Sequence, residues 1–280
     1  MKCTIKGFWA YKTVLAVPVI LALMFAACQP KEEYTAEEQA PSLTMSPGFL
    51  AVGMEIGYPP MEYFSEDGTP AGFDVELAKA IASKMGVAVE FVDTAWDGIF
   101  AGVDTQKYDC IISSVTYTEE RAANFNFTKP YVANSQLLVV RQDSAVKPKG
   151  LEDVAGLRLT YQAETTSDTL ATEWIESTGT KIEVFEYDKV MNCFDELSLN
   201  RVDVILVDSV VAAEYLSRPG NPYEITAEVS NDEVLAICLK KGNDALTEAL
   251  NKILDELYAD GTLQKISQEV FGTDVVSSVR

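Results

Sequence analysis

Residues 113–121, which read SSVTYTEER, combine hydroxyl side chains with an arginine directly after the apolar residues 110–112. Arginine presents a fixed fork of donors that matches a carboxylate, and hydroxyl groups add hydrogen bonds without adding charge. The hydroxyl side chains in question are Ser113, Ser114 and Thr116. The arrangement indicates an anion site around Arg121, although a surface ion pair between Arg121 and Glu119 explains the same residues.

A second polar cluster lies in residues 162–167, which read QAETTS between a predicted strand and a predicted helix. The free N–H groups at the start of a helix attract anions. The candidates there are Gln162, Thr165 and Thr166. Asp208, which ends the apolar run 204–207, would add a negative charge. One anion site and one carboxylate suit a zwitterion such as an α-amino acid; hydroxyl caps at 165–167 and a helix cap by Asp208 are the simpler alternatives.

Strand-like and helix-like segments alternate after residue 46, which predicts parallel sheets with crossover helices. The predicted helices span 74–85, 97–105, 167–176, 189–199, 209–216, 244–258 and 261–270, and the predicted strands span 87–92, 108–113, 157–161, 182–187, 202–207 and 234–239. The first helix has Asp74 as its expected N-cap and Gly86 as its stop. Both polar clusters follow the carboxyl end of a predicted strand, where ligands bind in open α/β sheets. Two such sheets facing each other would form a cleft between two lobes.

The composition excludes several kinds of function. The 280 residues contain no histidine, which excludes Ser-His-Asp catalysis, Cys-His catalysis and every zinc site that needs histidine. The formal net charge of −21 argues against a nucleic-acid partner, which would need clusters of Lys and Arg. There is no GxxxxGK[ST] run, so an ATPase would be a separate chain. We expect no cofactor and no metal ion.

The N-terminal residues have the pattern of an export signal. Lys2, Lys6 and Lys12 precede an apolar stretch at 14–27, which is too short to span a bilayer comfortably. The stretch runs into FAAC, which is similar to a bacterial lipobox. We therefore expect residues 1–27 to be a signal peptide, Cys28 to be lipidated, and residues 28–46 to form a flexible tether. This predicts a protein outside the cytoplasm, anchored to the cell membrane by lipid; ordinary secretion and an uncleaved anchor are the alternatives.

Three cysteines lie in the part of the chain that is predicted to fold. Cys110, Cys193 and Cys238 each fall within an apolar or amphipathic stretch. An odd number excludes a complete disulfide framework. Buried free thiols are the expectation, and a single bridge is the alternative.

From about Phe49 to Gly272 the chain resembles the polar amino-acid family (family 3) of extracytoplasmic solute-binding proteins of ABC importers. The segments that carry the resemblance, in family order, are MEIGYPPMEYFSEDGTPAGFDVELAKAIA, AWDGIFAGV, KYDCIISSVTYTEER, FNFTKPY, YQAETTS, VDVILVDSVVAAEYL and ADGTLQKISQEVFG. The resemblance implies a type II periplasmic-binding-protein fold, with two α/β lobes joined by two hinge strands. We expect lobe 1 to comprise 47–134 and 234–280, and lobe 2 to comprise 135–233. It also implies a monomer that closes on a free amino acid, with an ABC permease and its ATPase as partners.

The same resemblance implies roles for the polar residues. Arg121 would bind the α-carboxylate of the ligand. The residues that would assist it are Ser114, Thr116, Thr165 and Thr166. Asp208 would bind the α-ammonium, with a carbonyl or hydroxyl group of Ser113 or Ser114 nearby. Gln162 belongs to the matched segment YQAETTS and counts among the expected ligand-binding residues.

The side-chain pocket and three departures from the family pattern bear on the ligand. Tyr58 and Trp96 would wall the pocket, although Trp96 without the resemblance would more often be core. Glu55 stands where the family commonly has Asp, so the acid reaches one methylene further. Met61 replaces a usual Phe. Glu164 replaces a usual Gly beside the expected carboxylate site; we expect it to turn to solvent, since it would otherwise change the ligand.

The expected function is therefore a lipid-anchored receptor that captures a polar amino acid and delivers it to a permease, without enzymatic activity. The acidic character of the chain and Glu55 favour a cationic or neutral polar side chain in the ligand. One alternative is an enzyme similar to cyclohexadienyl dehydratases, with Glu164 or Glu173 as general acid. Another is a lipoprotein that senses a ligand without transporting it.

Overall fold

The computed structural model of the chain describes residues 43–279, which contain the predicted strands and helices and also strands at 49–54 and 125–141 and a helix at 119–124 that were not predicted. The strands are β1 (Phe49–Met54), β2 (Tyr63–Phe64), β3 (Pro70–Ala71), β4 (Ala88–Asp93), β5 (Cys110–Ile111), β6 (Phe125–Arg141), β7 (Arg158–Gln162), β8 (Glu183–Tyr187), β9 (Val204–Asp208) and β10 (Tyr223–Lys240). The helices are α1 (Phe73–Met85), α2 (Trp96–Asp104), α3 (Glu119–Asn124), α4 (Thr166–Thr178), α5 (Val190–Ser198), α6 (Ser209–Ser217), α7 (Asp244–Ala259) and α8 (Thr262–Phe271).

Eight of the described strands form one mixed sheet, in the order β4-β1-β5-β10-β6-β9-β7-β8. Strands β4, β1 and β5 run parallel at one side, and β9, β7 and β8 run parallel at the other. The expectation of parallel sheets is wrong at the centre, where β10 pairs antiparallel with both β5 and β6, and β6 pairs antiparallel with β9. The two parallel groups are thus halves of one sheet, connected by the long pair β6–β10.

Strands β6 and β10 pair with each other along almost their whole length, and different segments of this pair contact the two parallel groups. Strand β10 reaches β5 through residues 238 and 239, whereas β6 reaches β9 through residues 136–139. We call the part of the described chain that contains β4, β1 and β5 the first half, and the part that contains β9, β7 and β8 the second half. The lobe boundaries expected from the sequence, at 134/135 and 233/234, fall inside these two strands and stay a prediction.

Helix α1 shows how local sequence positions a buried acid. Leu77 and Ile81 are buried at i+4 spacing, and Gly86 ends the helix in the left-handed region at φ 70°, as expected. The expected N-cap is wrong: Gly72 occupies that position at φ 117°, and its missing Cβ leaves room for the carbonyl of Met61. The carboxyl group of Asp74 instead turns inward and is fully buried.

Several expectations about the chain termini and thiols can be compared with this fold. The signal peptide at 1–27, Cys28 and the tether up to residue 42 lie outside the described residues. Between residues 43 and 279, no helix has the length and apolar character needed to cross a bilayer. Cys110, Cys193 and Cys238 are buried free thiols, which confirms the expectation for them.

Candidate functional site

A cavity between the two halves of the sheet contains about 310 Å³ of space not filled by protein atoms. All eleven site residues expected from the sequence line it, together with Glu62. The lining residues are Glu55, Tyr58, Glu62, Trp96, Ser113, Ser114, Thr116, Arg121, Gln162, Thr165, Thr166 and Asp208. Residues separated by more than 150 positions in the chain therefore meet in one place.

The carboxyl ends of the parallel strands explain this convergence. In the first half, Glu55 follows β1, and the hydroxyl-rich segment 113–116 follows β5. In the second half, Gln162 ends β7 and Asp208 ends β9. Crossover helices place the carboxyl ends of parallel strands at the same edge of a sheet, so polar residues at these ends face a common cleft.

Direct hydrogen bonds connect the two halves across the cavity. The phenol of Tyr58 donates to Asp208 Oδ2 at 2.7 Å. Gln162 Nε2 donates to Glu55 Oε2 at 2.8 Å, and Trp96 Nε1 donates to the carbonyl of Glu164 at 3.0 Å. Each half thus supplies a partner for the other, and the halves stand in contact at the cavity.

Arg121 directs its guanidinium group into the cavity from helix α3. Its Nη1 donates to the carbonyl of Thr116 at 3.0 Å, and the group lies 5.6 Å from the ring centroid of Trp96. A second ring, that of Phe100, lies 5.0 Å away, so aromatic faces hold the cation in place. Burial lowers the pKa of Arg121 from its ordinary value. Glu119, the alternative partner of Arg121, instead accepts a hydrogen bond from the phenol of Tyr117 at 3.2 Å.

Asp208 is a buried acid with a well-satisfied carboxylate. Besides the phenol of Tyr58, it accepts hydrogen bonds from Gln136 Nε2 at 2.6 Å and Asn134 Nδ2 at 2.9 Å. Burial raises its pKa, and these three hydrogen bonds oppose the rise. Asp208 occupies the N-cap position of α6, as the helix-cap interpretation has it, but its side chain makes no capping hydrogen bond. The carboxylate faces the cavity.

The start of α4 supplies the opposite wall of the cavity. The hydroxyl of Thr165 accepts from the backbone N–H of Asp168, so the hydroxyl-cap interpretation is correct for this residue, which also lines the cavity. Glu164 lies at φ 60°, a conformation that favours glycine, and its side chain is exposed. The expectation that Glu164 turns to solvent is confirmed. Only its carbonyl faces Trp96 and Arg121.

Glu55 is a buried acid whose pKa lies close to neutral pH. Burial raises its pKa from the ordinary 4.5 to about 7, while the hydrogen bond from Gln162 and the charge of Lys189 act in the opposite direction. The carboxyl group thus gains or loses its charge in the neutral pH range. A cation placed beside it would favour the ionised form.

Two acids close to the cavity were missed by sequence reasoning. Glu62 lines the cavity and lies in the run YPPMEYF, where a carboxylate among apolar residues was the only available signal. Glu233 lies just behind the cavity wall, where its Oε2 accepts from Asn134 and Gln136, both at 2.9 Å. It follows Asn231 and Asp232 in an apparently ordinary polar turn, so no sequence signal distinguished it.

Comparisons with known proteins agree with this geometry. A family model described as bacterial extracellular solute-binding proteins, family 3, matches residues 50–273. The L-cystine-binding protein TcyJ of Escherichia coli K12 is 29% identical over 98% of this chain and 99% of its own length. The ABC transporter arginine-binding protein 1 of the same strain is 31% identical over 78% of this chain and 89% of its own.

Solved structures show the same fold. An ancestral arginine-binding protein bound to arginine superimposes with a TM-score of 0.75 and 36% identity, covering 80% of this chain and 98% of that one. An ancestral amino acid-binding protein described as a precursor of cyclohexadienyl dehydratase gives a TM-score of 0.73 and 32% identity, covering 80% and 96%. The two-lobed α/β fold expected from the resemblance is confirmed.

Proposed function

The chain belongs to family 3 of the bacterial extracellular solute-binding proteins, and on that premise we propose that it captures a polar amino acid in the cavity between its halves. The observation that carries the proposal is the pair of opposite charges at the cavity, Arg121 from the first half and Asp208 from the second. This pair suits the two charges that every α-amino acid carries.

Arg121 would bind the ligand's carboxylate. One of its terminal nitrogens is held by Thr116, which orients the rest of the fork toward the cavity. The start of α4, with Thr165 and Thr166, faces it from the second half and would add hydrogen bonds to the same carboxylate. Charge-assisted hydrogen bonds of this kind contribute roughly 1.5–3 kcal/mol each.

Asp208 would bind the ammonium group. Its Oδ1 and Oδ2 already accept from three donors, all of them neutral, so the carboxylate keeps its charge available for a cation. Ser113 and Ser114, at the end of β5, line the same cavity and offer carbonyl oxygens nearby. A ligand that spans Arg121 and Asp208 would bridge the halves and stabilise their contact, with β6 and β10 as the hinge.

The ligand's side chain would extend toward Glu55, between the rings of Tyr58 and Trp96. We propose a cationic side chain, because a cation beside Glu55 would recover the ionised form that burial disfavours. The relatives named above for cystine and arginine differ in ligand, so the family alone leaves this choice open.

The proposed setting is the outer side of the cytoplasmic membrane. The FAAC sequence supports lipidation at Cys28, which would keep the receptor close to a permease and its separate ATPase. The ligand would be released to the permease when the halves separate.

A panel of the twenty amino acids with ornithine and cystine, added to the full chain in a thermal-unfolding assay, tests the proposal. We expect stabilisation by a small set of polar amino acids, with the cationic ones strongest. Replacing Arg121→Ala or Asp208→Ala should weaken that binding by more than about tenfold, as expected from the loss of one charge-assisted hydrogen bond. Arg121→Lys should also bind weakly, because it keeps the charge and loses the fork.

Arg201→Ala is the matched control, since it removes an arginine from an exposed ion pair with Glu196, away from the cavity. Its affinity should equal that of the unchanged protein. A panel without any stabilising amino acid would refute the proposed function, and full affinity in Arg121→Ala would refute the assignment of the site.

A further inference from the structure

Two acids lie side by side below the floor of the cavity. Glu62 is 1% exposed and Asp74 is 0% exposed. The backbone N–H of Asp74 donates to the carbonyl of Met61 at 2.9 Å, which holds the start of α1 against the segment that carries Glu62. Adjacent residues bind the two carboxyl groups, Ser113 the one of Glu62 and Ser114 the one of Asp74, so the two groups are neighbours.

Each carboxyl group has one satisfied oxygen and one that lacks a donor. Glu62 Oε1 accepts from Ser113 Oγ at 2.7 Å. Asp74 Oδ2 accepts from the backbone N–H of Ser114 at 2.6 Å and from the phenol of Tyr131 at 3.1 Å. The remaining oxygens, Glu62 Oε2 and Asp74 Oδ1, are buried without a donor. A buried polar atom without a partner costs about 1–3 kcal/mol, and more when it is charged, so two of them require an explanation.

We propose that Glu62 and Asp74 hold one proton between them at neutral pH, and that this shared proton positions Ser113 and Ser114 at the end of the cavity. A single proton supplies what both orphaned oxygens lack, because it turns one acceptor into a donor for the other. The proton resides on Glu62. Asp74 accepts a backbone N–H and a phenol, which favour its ionised form, whereas Glu62 accepts only one hydroxyl.

The electrostatic surroundings support this arrangement. Burial and then the charge of Asp74 raise the pKa of Glu62 well above its ordinary value, and burial raises the pKa of Asp74 to about 7. The titratable groups that face the pair from the neighbouring segments are Glu55, Tyr58 and Tyr131. All three are acids, so among them no cation is available to take the place of the proton.

The shared proton matters for the cavity because both serines depend on it. Ser113 Oγ donates to Glu62 and accepts from the backbone N–H of Glu55 at 3.0 Å, so its hydroxyl is fully oriented. Ser114 lies at φ 49°, in the left-handed region that side chains rarely adopt, and Asp74 holds its N–H. Removing the proton would place two negative charges next to each other, and their repulsion would displace the carboxylates that hold both serines. The expectation that this change weakens the binding of an amino acid rests on the proposed function, whereas the shared proton does not depend on it.

Carbon NMR of the side-chain carboxyl groups in the ligand-free full chain tests the proton directly. The titration would run from about pH 5 to about pH 9, on both sides of the value near 7 for Asp74. We expect the Glu62 carboxyl group to remain protonated through neutral pH, far above the ordinary glutamate value of about 4.3. A Glu62 resonance that is already that of the ionised form at the start of the titration would overturn the proposal.

Variants separate the shared proton from ordinary packing. Glu62→Gln keeps a donor for Asp74 and an acceptor for Ser113, so it should fold with at least the stability of the unchanged protein. Glu62→Ala provides neither group and should unfold at a lower temperature. The native protein holds a proton that the unfolded chain releases, so its free energy of unfolding should fall as pH rises through neutrality, and Glu62→Gln should lose that part of the slope.

Glu76→Gln is the matched control. It removes an exposed carboxylate, paired with Lys79, from α1, the helix that also carries Asp74. It should keep the pH slope of the unchanged protein. A Glu62→Gln variant that keeps the full slope, or that is as unstable as Glu62→Ala, would overturn the proposal. These readouts need no ligand, so a failed amino-acid panel would leave them valid, and a normal Glu62 titration would leave the proposed function standing.

Discussion

At the scale of single residues, Glu55 is the place where burial and ligand charge act on the same group. The carboxyl group lies at the end of β1, accepts from Gln162 across the cavity and has a pKa of about 7 because it is buried. Arg121 and Asp208 would bind the carboxylate and the ammonium group, which are common to all α-amino acids. The choice among ligands therefore falls to Glu55 and the two aromatic walls, Tyr58 and Trp96.

The pH dependence of ligand affinity should report on Glu55. If the ligand's side chain is a cation, its affinity should fall as the pH is lowered from about 8 to about 6, because Glu55 becomes protonated and loses its charge. Glu55→Gln should bind the cation roughly tenfold more weakly at the upper end and show little pH dependence, which isothermal titration calorimetry can measure.

Glu90→Gln, an exposed position on β4, is the control and should retain both the affinity and its pH dependence. Equal affinity of Glu55→Gln and the unchanged protein across this range would contradict the assignment.

Folding stability without ligand depends on pH in the opposite direction from ligand affinity. The folded protein holds a proton on Glu55 that the unfolded chain releases above its ordinary pKa of 4.5. The contribution to the free energy of unfolding thus falls as the pH rises from about 4.5 to about 7.

At the scale of elements, the turn before α1 connects backbone geometry to the site. Gly72 lies at φ 117°, and its backbone passes so close to the carbonyls of Pro60 and Met61 that a side chain would collide with them. This close approach brings Asp74 against Ser114 and thereby orients the end of β5. The first turn of the helix therefore positions cavity residues that are distant in the chain.

Replacing Gly72→Ala should destabilise the protein by roughly 1–3 kcal/mol or more, through backbone strain and the collision with Met61. Thermal or urea unfolding would measure the change. Gly98→Ala is the control, because Gly98 lies inside α2 with open space around its Cβ position and should be neutral or slightly stabilised. A Gly72→Ala variant as stable as Gly98→Ala would show that the turn tolerates a side chain.

At the scale of the whole molecule, the pair β6–β10 is the element that can let the halves move. Register shifts interrupt its regular ladder at several points between Ile225 and Cys238, and two of them lie next to Ser230 near the middle of β10. Glu233 also accepts from the hydroxyls of Thr116 in the first half and Thr166 in the second, at 3.4 and 3.3 Å. The irregular ladder allows bending, and these contacts add to the hydrogen bonds that hold the halves together.

Small-angle scattering should detect this motion. Without ligand we expect the halves to separate, which gives a larger radius of gyration than when they are in contact. A saturating amino acid should reduce the radius, since a ligand that binds both halves favours their contact. Arg121→Ala should not contract when the same amino acid is added. A radius that is identical with and without a bound amino acid would argue against hinge closure.

The residue pattern predicted most elements, and together with the family resemblance it predicted the residues that gather at the cavity. Residues such as Asp208 and Gln162 end apolar strands, and parallel strands bring their carboxyl ends to one edge, so the meeting of these residues follows from local pattern. Of the central antiparallel pair, the residue pattern predicted only 234–239 of β10, and the two hinge strands were expected from the resemblance alone. Strand β6 contains Pro130, Asn134 and Gln136, and polar residues in a strand resemble a loop until buried partners satisfy them.

Only the tertiary structure decided how the polar groups are shared. The sequence shows that Ser113 has a hydroxyl group, but not that the hydroxyl is already bound to Glu62, 51 positions away. It shows an acid at position 74 that suits a helix cap, but not that packing against Ser114 and Tyr131 draws this acid inward. Residue type and order determine which chemistry can occur. Burial and long-range contacts determine which groups remain ionised and which remain free for a ligand, because the cost of a charge depends on what surrounds it.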